Sequence, residues 1–116
     1  MIVKASKAQM ILIAGPYRSG TNDAPPLIKK NVRQRESYAL PVFRARHIPI
    51  LAEWLALPLV EPGGSKKISD EVFKEVFHPI AVWLLEKCDA VLRVTGTSTG
   101  ADEMVRVGRN LGLVIL

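Results

Sequence analysis

An uninterrupted apolar run followed by a glycine-bearing loop constrains the fold more than any other part of the sequence. Residues Met10–Ala14 read Met-Ile-Leu-Ile-Ala, and Gly15–Ala24 follow as Gly-Pro-Tyr-Arg-Ser-Gly-Thr-Asn-Asp-Ala. An apolar run without polar alternation predicts a strand buried on both faces, as in a parallel sheet. The next stretch has helical spacing. The order strand, glycine-rich loop, helix is how an α/β domain presents backbone N–H groups and a helix N-terminus to an anion.

A second segment repeats this pattern near the end of the chain. Ala90–Val94 is apolar apart from one arginine, and Thr95–Gly100 follows it with four Thr or Ser hydroxyls and two glycines. We call Gly15–Gly20 the first loop and Thr95–Gly100 the second loop. Two turns rich in hydrogen-bond donors, each at the end of a strand, predict a site for a nucleotide or a sugar phosphate.

Length and composition bound the class of protein. The chain has 116 residues, of which 48% are hydrophobic, so we expect one folded domain over residues 10–116 after an N-terminal extension at 1–9. Met10 is an alternative start of the chain. The net charge of +5 comes from scattered basic residues, and aromatic residues make up only 6%. A nucleic-acid surface would cluster its charge and interleave aromatics, so we expect a small-molecule ligand and no nucleic acid.

Other compositional features exclude whole classes of site. The single cysteine, Cys88, allows no internal disulfide and is expected to be buried in a protein of a reducing, cytoplasmic compartment. No apolar run reaches transmembrane length, so we expect no membrane partner. The two histidines, His47 and His78, do not have metal-ligand spacing. We therefore expect no metal and no cofactor.

Alternating strands and helices predict a flavodoxin-like, Rossmann-like α/β fold. The parallel sheet should have four to five strands in the order 2-1-3-4, with helices on both faces. The predicted strands are 11–14, 47–51, 90–94 and 113–116. We predict a helix capped by Asn22 or Asp23, a short helical turn at 53–59 and a helix capped by Ser69 or Asp70. The last helix should begin at Ala101 and end at Gly112 in the αL conformation. We further expect a break at Pro41, a kink or restart at Pro79 and an exposed loop at 61–65.

The motifs in this order resemble the nucleoside 2-deoxyribosyltransferase-like superfamily, which includes deoxynucleoside-monophosphate N-glycosidases. The resemblance rests on Gly15-Pro16-Tyr17 after a strand, His47-Ile48-Pro49-Ile50, Cys88-Asp89-Ala90-Val91-Leu92, and Ser98-Thr99-Gly100-Ala101-Asp102 opening the last helix. It covers nearly the whole chain from Met10. The resemblance implies a flavodoxin-like fold, a nucleoside or nucleotide ligand, and often a homodimer whose site borrows from its neighbour.

The resemblance also implies a reaction, the breaking of an N-glycosidic bond. In the family a glutamate at the start of the last helix attacks the anomeric carbon, and an aspartate from the preceding helix assists. Here the position matching the nucleophile is Met104, and the assisting position falls near Ala81. Glu103 and then Asp102 are the nearest acids, and we take them as the candidate catalytic residues.

Two functions therefore stay open, with a third behind them. The first is a hydrolase or 2-deoxyribosyltransferase acting on an N-glycosidic bond. The second is a nucleotide- or phosphosugar-binding sensor that lacks the family carboxylates, and the third is a structural domain whose dimer face is its purpose. The candidate ligand-binding residues are Gly15, Pro16, Tyr17, Arg18, Ser19, Gly20, Arg93, Gly96, Ser98, Gly100 and Met104.

Several of these residues have an alternative interpretation. Tyr17 is either an aromatic at the edge of the core or a stacking platform for a base or sugar. Asp102 and Glu103 suit the helix dipole in the first turn without any catalytic role. Arg93, a charge in an apolar strand, must either emerge at the site or find a partner. Trp54 and Trp83 are predicted to be core or dimer-contact residues, with the lining of the base pocket as an alternative for Trp54.

Overall fold

The computed structural model describes residues 7–60 and 71–116, with the backbone alone for 71–74. The strands are β1 (Met10–Ala14), β2 (Ile48–Ile50), β3 (Ala90–Arg93) and β4 (Val114–Ile115). The helices are α1 (Pro25–Glu36), α2 (Ala39–Arg44), α3 (Ala52–Val60), α4 (Glu71–Leu85) and α5 (Thr99–Asn110).

The four strands form one parallel sheet in the order β2-β1-β3-β4, which confirms the predicted α/β class and strand order. Strand β1 lies between β2 and β3, because the chain first adds a strand on one side of it and then crosses to the other. Ala14 pairs in register with Arg93, so β1 and β3 end at the same level. This is the topological switch point at which open α/β sheets bind ligands.

Apolar side chains cover both faces of the sheet, as the unbroken strand pattern predicts. One face packs Leu12, Ala14 and Val91 against the helix residues of α3, α4 and α5. The other packs Ile11, Ile13 and Val94 against the α2 side. Cys88 lies in the first of these clusters and is buried, and this burial raises the pKa of its thiol to about 11.

Several local predictions are corrected at the first helices. Neither Asn22 nor Asp23 caps α1, because both adopt positive φ (49° and 58°) in a turn, and the N-cap is Ala24. The chain breaks between α1 and α2 at residues 37–38, ahead of Pro41, because Pro41 lies in the first turn of α2, where a proline is tolerated.

Later elements mostly follow the sequence pattern. Helix α5 begins at Thr99, two residues before the predicted start, and Gly112 has the αL conformation (φ +82°) predicted for it. Helix α4 runs through Pro79 without interruption. Trp83 is 61% exposed, so of its two predicted roles the core is excluded and the dimer contact stays a prediction. The predicted loop at 61–65 and the caps at Ser69 or Asp70 lie outside the described residues. Within the described ranges, no helix has the length and apolar character needed to cross a bilayer.

Candidate functional site

The first and second loops touch each other beyond the ends of β1 and β3. Gly96 has φ +117°, and a Cβ placed on it would lie 2.7 Å from Cγ of Pro16. A side chain at this position is therefore excluded both by the backbone conformation and by the proline ring. The Val94 N–H also donates to the Ala14 carbonyl at 2.8 Å, so pairing continues to the base of the two loops. The loops form one edge, as their positions in the sequence predict.

The first loop is held from behind by α1. The Asn31 side-chain amide donates to the carbonyl oxygens of Tyr17 at 3.0 Å and Ser19 at 3.3 Å. The Arg18 guanidinium pairs with the Asp23 carboxylate, with Nε–Oδ1 at 2.8 Å and Nη2–Oδ2 at 3.1 Å. This hydrogen-bonded pairing lowers the pKa of Asp23. Asn31 escaped the sequence analysis because nothing in a helical asparagine indicates which loop it will reach.

The N-terminus of α1 differs from the anion-binding end that the sequence predicts. Its first two residues are Pro25 and Pro26, which have no N–H to donate. The next amide, that of Leu27, donates to the Ala24 carbonyl at 3.0 Å. The donors of this half of the edge are therefore the loop itself, the exposed Arg18 side chain and the half-buried Ser19 hydroxyl.

Helix α5 offers the conventional arrangement. Ser98 is its N-cap, and the Ser98 Oγ accepts the Ala101 N–H at 3.1 Å. That hydroxyl keeps its own proton for donation. The amides of Thr99 and Gly100 open the helix beside it, at the positive end of the helix dipole.

Arg93 braces the second loop from the end of β3. Its guanidinium donates to the carbonyl oxygens of Val94 and Gly96, the latter at 2.9 Å. It also pairs with the Asp102 carboxylate at 3.0 Å. Of the two interpretations given for Arg93, the structure shows the one in which this arginine has a partner. That partner, Asp102, is one of the two candidate catalytic residues.

An aromatic pair connects the first loop to α4. The rings of Tyr17 and Phe77 stack with their centroids 5.4 Å apart and an angle of 29° between planes. Burial raises the pKa of the Tyr17 phenol, against the effect of Arg35 and Arg18, so the hydroxyl is neutral at physiological pH. Tyr17 therefore already has an aromatic neighbour on one side at the edge of the core.

A small pocket lies between α4 and α5, next to this aromatic pair. Its volume is about 110 Å³. It is lined by Phe77, His78, Ala81, Val82, Leu85, Gly100, Glu103, Met104 and Val107. A cavity of about 150 Å³ holds a benzene molecule. This α4–α5 pocket can therefore take part of one ring, and a larger ligand must extend out over the loops.

The two candidate acids lie on different sides of α5. Glu103 lines the α4–α5 pocket together with Met104, and its pairing with Arg106 lowers the pKa of its carboxyl group. Asp102 is about 100° further round the helix and is held by Arg93 on the opposite flank. Glu103, but not Asp102, lines the same pocket as Met104.

A buried ion pair under the first loop is the main feature that sequence reasoning missed. Arg35 of α1 and Glu53 of α3 are 3% and 2% exposed and form a bidentate pair, with Nη1–Oε1 at 3.0 Å. The Arg35 chain passes so close to Gly15 that a Cβ there would lie 2.7 Å from Cδ of Arg35. Burial lowers the pKa of the Arg35 guanidinium to about 10, so it stays charged at neutral pH.

No protein-family model and no curated protein matches this chain.

Within residues 7–60 and 71–116, no group of three or more His, Cys, Asp or Glu side chains is placed to hold a metal ion. What the edge does offer is a set of amide, hydroxyl and guanidinium donors next to an apolar pocket. This combination suits a ligand with an anionic group and a ring.

Proposed function

We propose that this protein binds a nucleoside or nucleotide at the carboxyl edge of the sheet, across the first and second loops. The contact of Pro16 with Gly96 carries this proposal, because it makes one continuous edge out of two donor-rich loops. The switch point of a doubly wound sheet is where such ligands bind in other proteins of this architecture.

The donors favour a phosphate at the loops. Arg18 and Ser19 belong to the first loop, and the Ser98 hydroxyl and the amides of Thr99 and Gly100 lie at the start of α5. A guanidinium and a helix N-terminus both favour an anion. The exposed pairing of Arg18 with Asp23 is of the kind that contributes little to stability, so Arg18 can exchange this partner for a phosphate.

The α4–α5 pocket is the place for the sugar or an edge of the base. It opens beside Gly100, and Tyr17 and Phe77 form an aromatic wall nearby. Because the pocket holds only part of a ring, the rest of the ligand would lie against these aromatics and the two loops. In this arrangement Met104 is a wall of the pocket.

Cleavage of an N-glycosidic bond at the same site is the second candidate, and the position of Glu103 favours it. The ion pair with Arg106 keeps this carboxyl ionised, as a nucleophile must be. In the reaction, a carboxylate oxygen bonds to the anomeric carbon while the bond to the base breaks. The electron pair of that bond goes to the base, which takes a proton from water. Water then hydrolyses the glycosyl ester, or a second base displaces the carboxylate. Among the described residues lining the pocket Glu103 is the only acid, whereas the family reaction uses two.

Titration calorimetry with deoxynucleosides and their 5′-monophosphates tests the binding proposal. We expect the monophosphate to bind more tightly, and Arg18→Ala to weaken its binding ~10–100-fold through the loss of a charge-assisted contact. Arg33→Ala, which removes an exposed arginine of α1 that has no part in the proposed site, is the matched control and should leave the affinity unchanged. Equal affinities for nucleoside and monophosphate would defeat the phosphate assignment.

Chromatography of the same mixtures separates the enzyme from the sensor. Release of free base by the wild type, lost in Glu103→Gln with ligand binding retained, would support the enzyme. Full activity in both Glu103→Gln and Asp102→Asn would show that the nucleophile is wrongly assigned. Binding without release of base from any nucleoside would leave the sensor as the function.

A further inference from the structure

A second cleft lies on the flank of α5 that faces away from the α4–α5 pocket. Its helix residues include Asp102, Arg106 and Arg109 and are spaced three and four apart. This spacing places them along one side of the helix. The pocket residues Gly100 and Met104 fall on the other side, about half a turn away. The two cavities are therefore separate places on the same helix.

Arginines dominate this cleft. Arg93 comes from the end of β3, and Arg106 and Arg109 come from α5. Asp102 is the one acid among the lining residues, and its charge is taken up by Arg93 at 3.0 Å. Arg106 pairs with Glu103 but keeps 60% of its side chain exposed, so this pair is of the weak surface kind. The cleft therefore carries an excess of positive charge.

The remaining walls suit a ligand that is more than a bare ion. Val105 and Ile115 form an aliphatic floor, and Asn110 adds an amide at the far end. The cleft has a volume of about 450 Å³, within the range of small-molecule sites. Between Asp102 and Arg109 the helix rises ~10 Å. The guanidinium groups of Arg93, which is paired with Asp102, and of Arg109 can therefore reach anionic groups about that far apart.

We propose that this arginine cleft is a second binding site, for a phosphorylated small molecule. Arg106 and Arg109 hold its phosphate or pyrophosphate group, and the aliphatic floor covers its uncharged part. Arg93 connects this site to the second loop, because the same guanidinium donates to the Gly96 carbonyl at 2.9 Å. An anion in the cleft competes with Asp102 for Arg93. Its binding is thereby coupled to the second loop, and so to the nucleotide site of the proposed function.

Titration calorimetry with inorganic pyrophosphate tests the cleft directly. We expect Arg106→Ala/Arg109→Ala to weaken pyrophosphate binding at least ~10-fold. The control Arg33→Ala/Arg44→Ala removes the same charge from exposed positions on α1 and α2 and should change affinity less than ~2-fold. Equal losses in the two double variants would show a net-charge effect and overturn the proposal, as would absence of binding to the wild type.

Two further arms separate this proposal from its neighbours. Arg18→Ala should leave pyrophosphate affinity in the cleft unchanged. The proposal for the cleft and the proposal for the nucleotide site at the loops can therefore be refuted independently of each other. A single-stranded oligonucleotide that binds through Arg106 and Arg109 more tightly than pyrophosphate would replace the small molecule by a nucleic acid. Amide shifts of Asp102 and Gly96 on adding pyrophosphate are expected, and shifts confined to other residues would contradict the assignment.

Discussion

At the scale of single residues, the first loop depends on how closely Arg35 passes beneath it. Gly15 has no side chain, and this leaves room for Arg35. A Cβ at residue 15 would lie only 2.7 Å from Cδ of Arg35. The sequence predicts a ligand-binding role for Gly15, and the structure adds a packing reason for a glycine at this position.

We predict that Gly15→Ala destabilises the protein by about 1–3 kcal/mol, because the new methyl group must displace a buried and paired arginine. The free energy of unfolding in urea measures the effect. Gly100→Ala is the matched control, since a Cβ there meets nothing within 4 Å, and alanine should leave stability unchanged or raise it. Equal behaviour of the two variants would show that Arg35 does not pack under Gly15.

The Arg35–Glu53 pair gives a second prediction at this scale. Because both side chains are almost completely buried, Glu53→Gln leaves an uncompensated buried charge and should cost about 3–5 kcal/mol. The double variant Arg35→Met/Glu53→Met should recover most of this loss. Thermal and urea unfolding measure both, with Glu103→Gln, at an exposed ion pair, expected to leave the unfolding midpoint in place. A negligible effect of Glu53→Gln would mean that the pair is solvated.

At the scale of elements, the start of α5 depends on its cap. The buried Ser98 side chain accepts the Ala101 N–H, while the neighbouring Thr97 is exposed. Ser98→Ala should cost about 1 kcal/mol, within the usual range of ~0.5–2 for an N-cap. Thr97→Ala should change stability little, and circular dichroism during urea unfolding compares the two. A Ser98→Ala variant as stable as Thr97→Ala would contradict the cap.

The strands were predictable from sequence, whereas the helix starts and the ion pair were not. Unbroken apolar runs such as Met10–Ala14 have only one low-energy place, inside a covered sheet, so the local pattern decides the outcome. The cap of α1 depends on the turn taken by Asn22 and Asp23, which two residues of similar propensity do not specify. Arg35 resembles any surface arginine until tertiary packing brings Glu53 to it.

The same division holds for the candidate site. That the two loops would meet followed from strand order, which is a property of the whole sheet. Whether Glu103 or Asp102 lies on the pocket side of α5 with Met104 depends on one residue of helical rotation. The helix also begins two residues earlier than the sequence suggests. Exposure of Trp83 depends likewise on which face of α4 the other helices leave uncovered.

At the scale of the whole molecule, exposed apolar residues lie on two helices that pack together. Trp83 of α4 is 61% exposed, and Leu55 and Leu59 of α3 are 44% and 50% exposed. Large exposed apolar patches on small proteins mark contact surfaces. This is the basis for the homodimer, which remains a prediction.

Light scattering should give twice the mass of the chain, and Trp83→Glu should shift the population to monomer because it places a charge in the contact. Phe43→Glu is the matched control, since Phe43 is also largely exposed (65%) but lies on α2, and it should stay dimeric. A wild-type monomer at high micromolar concentration would refute the dimer. Dissociation by Phe43→Glu alone would place the dimer contact on α2 instead of α3 and α4.

The central claim, a nucleotide site built from the first and second loops, is tested most directly by mapping amide chemical shifts during titration with a deoxynucleoside 5′-monophosphate. We predict that the largest shifts fall in Gly15–Gly20, in Thr95–Gly100 and at Met104, with His47–Pro49 at the opposite end of the sheet unaffected. They should saturate together with one dissociation constant, and Arg18→Ala should raise that constant. Saturating shifts that avoid both loops, or no shifts at millimolar ligand, would contradict the site.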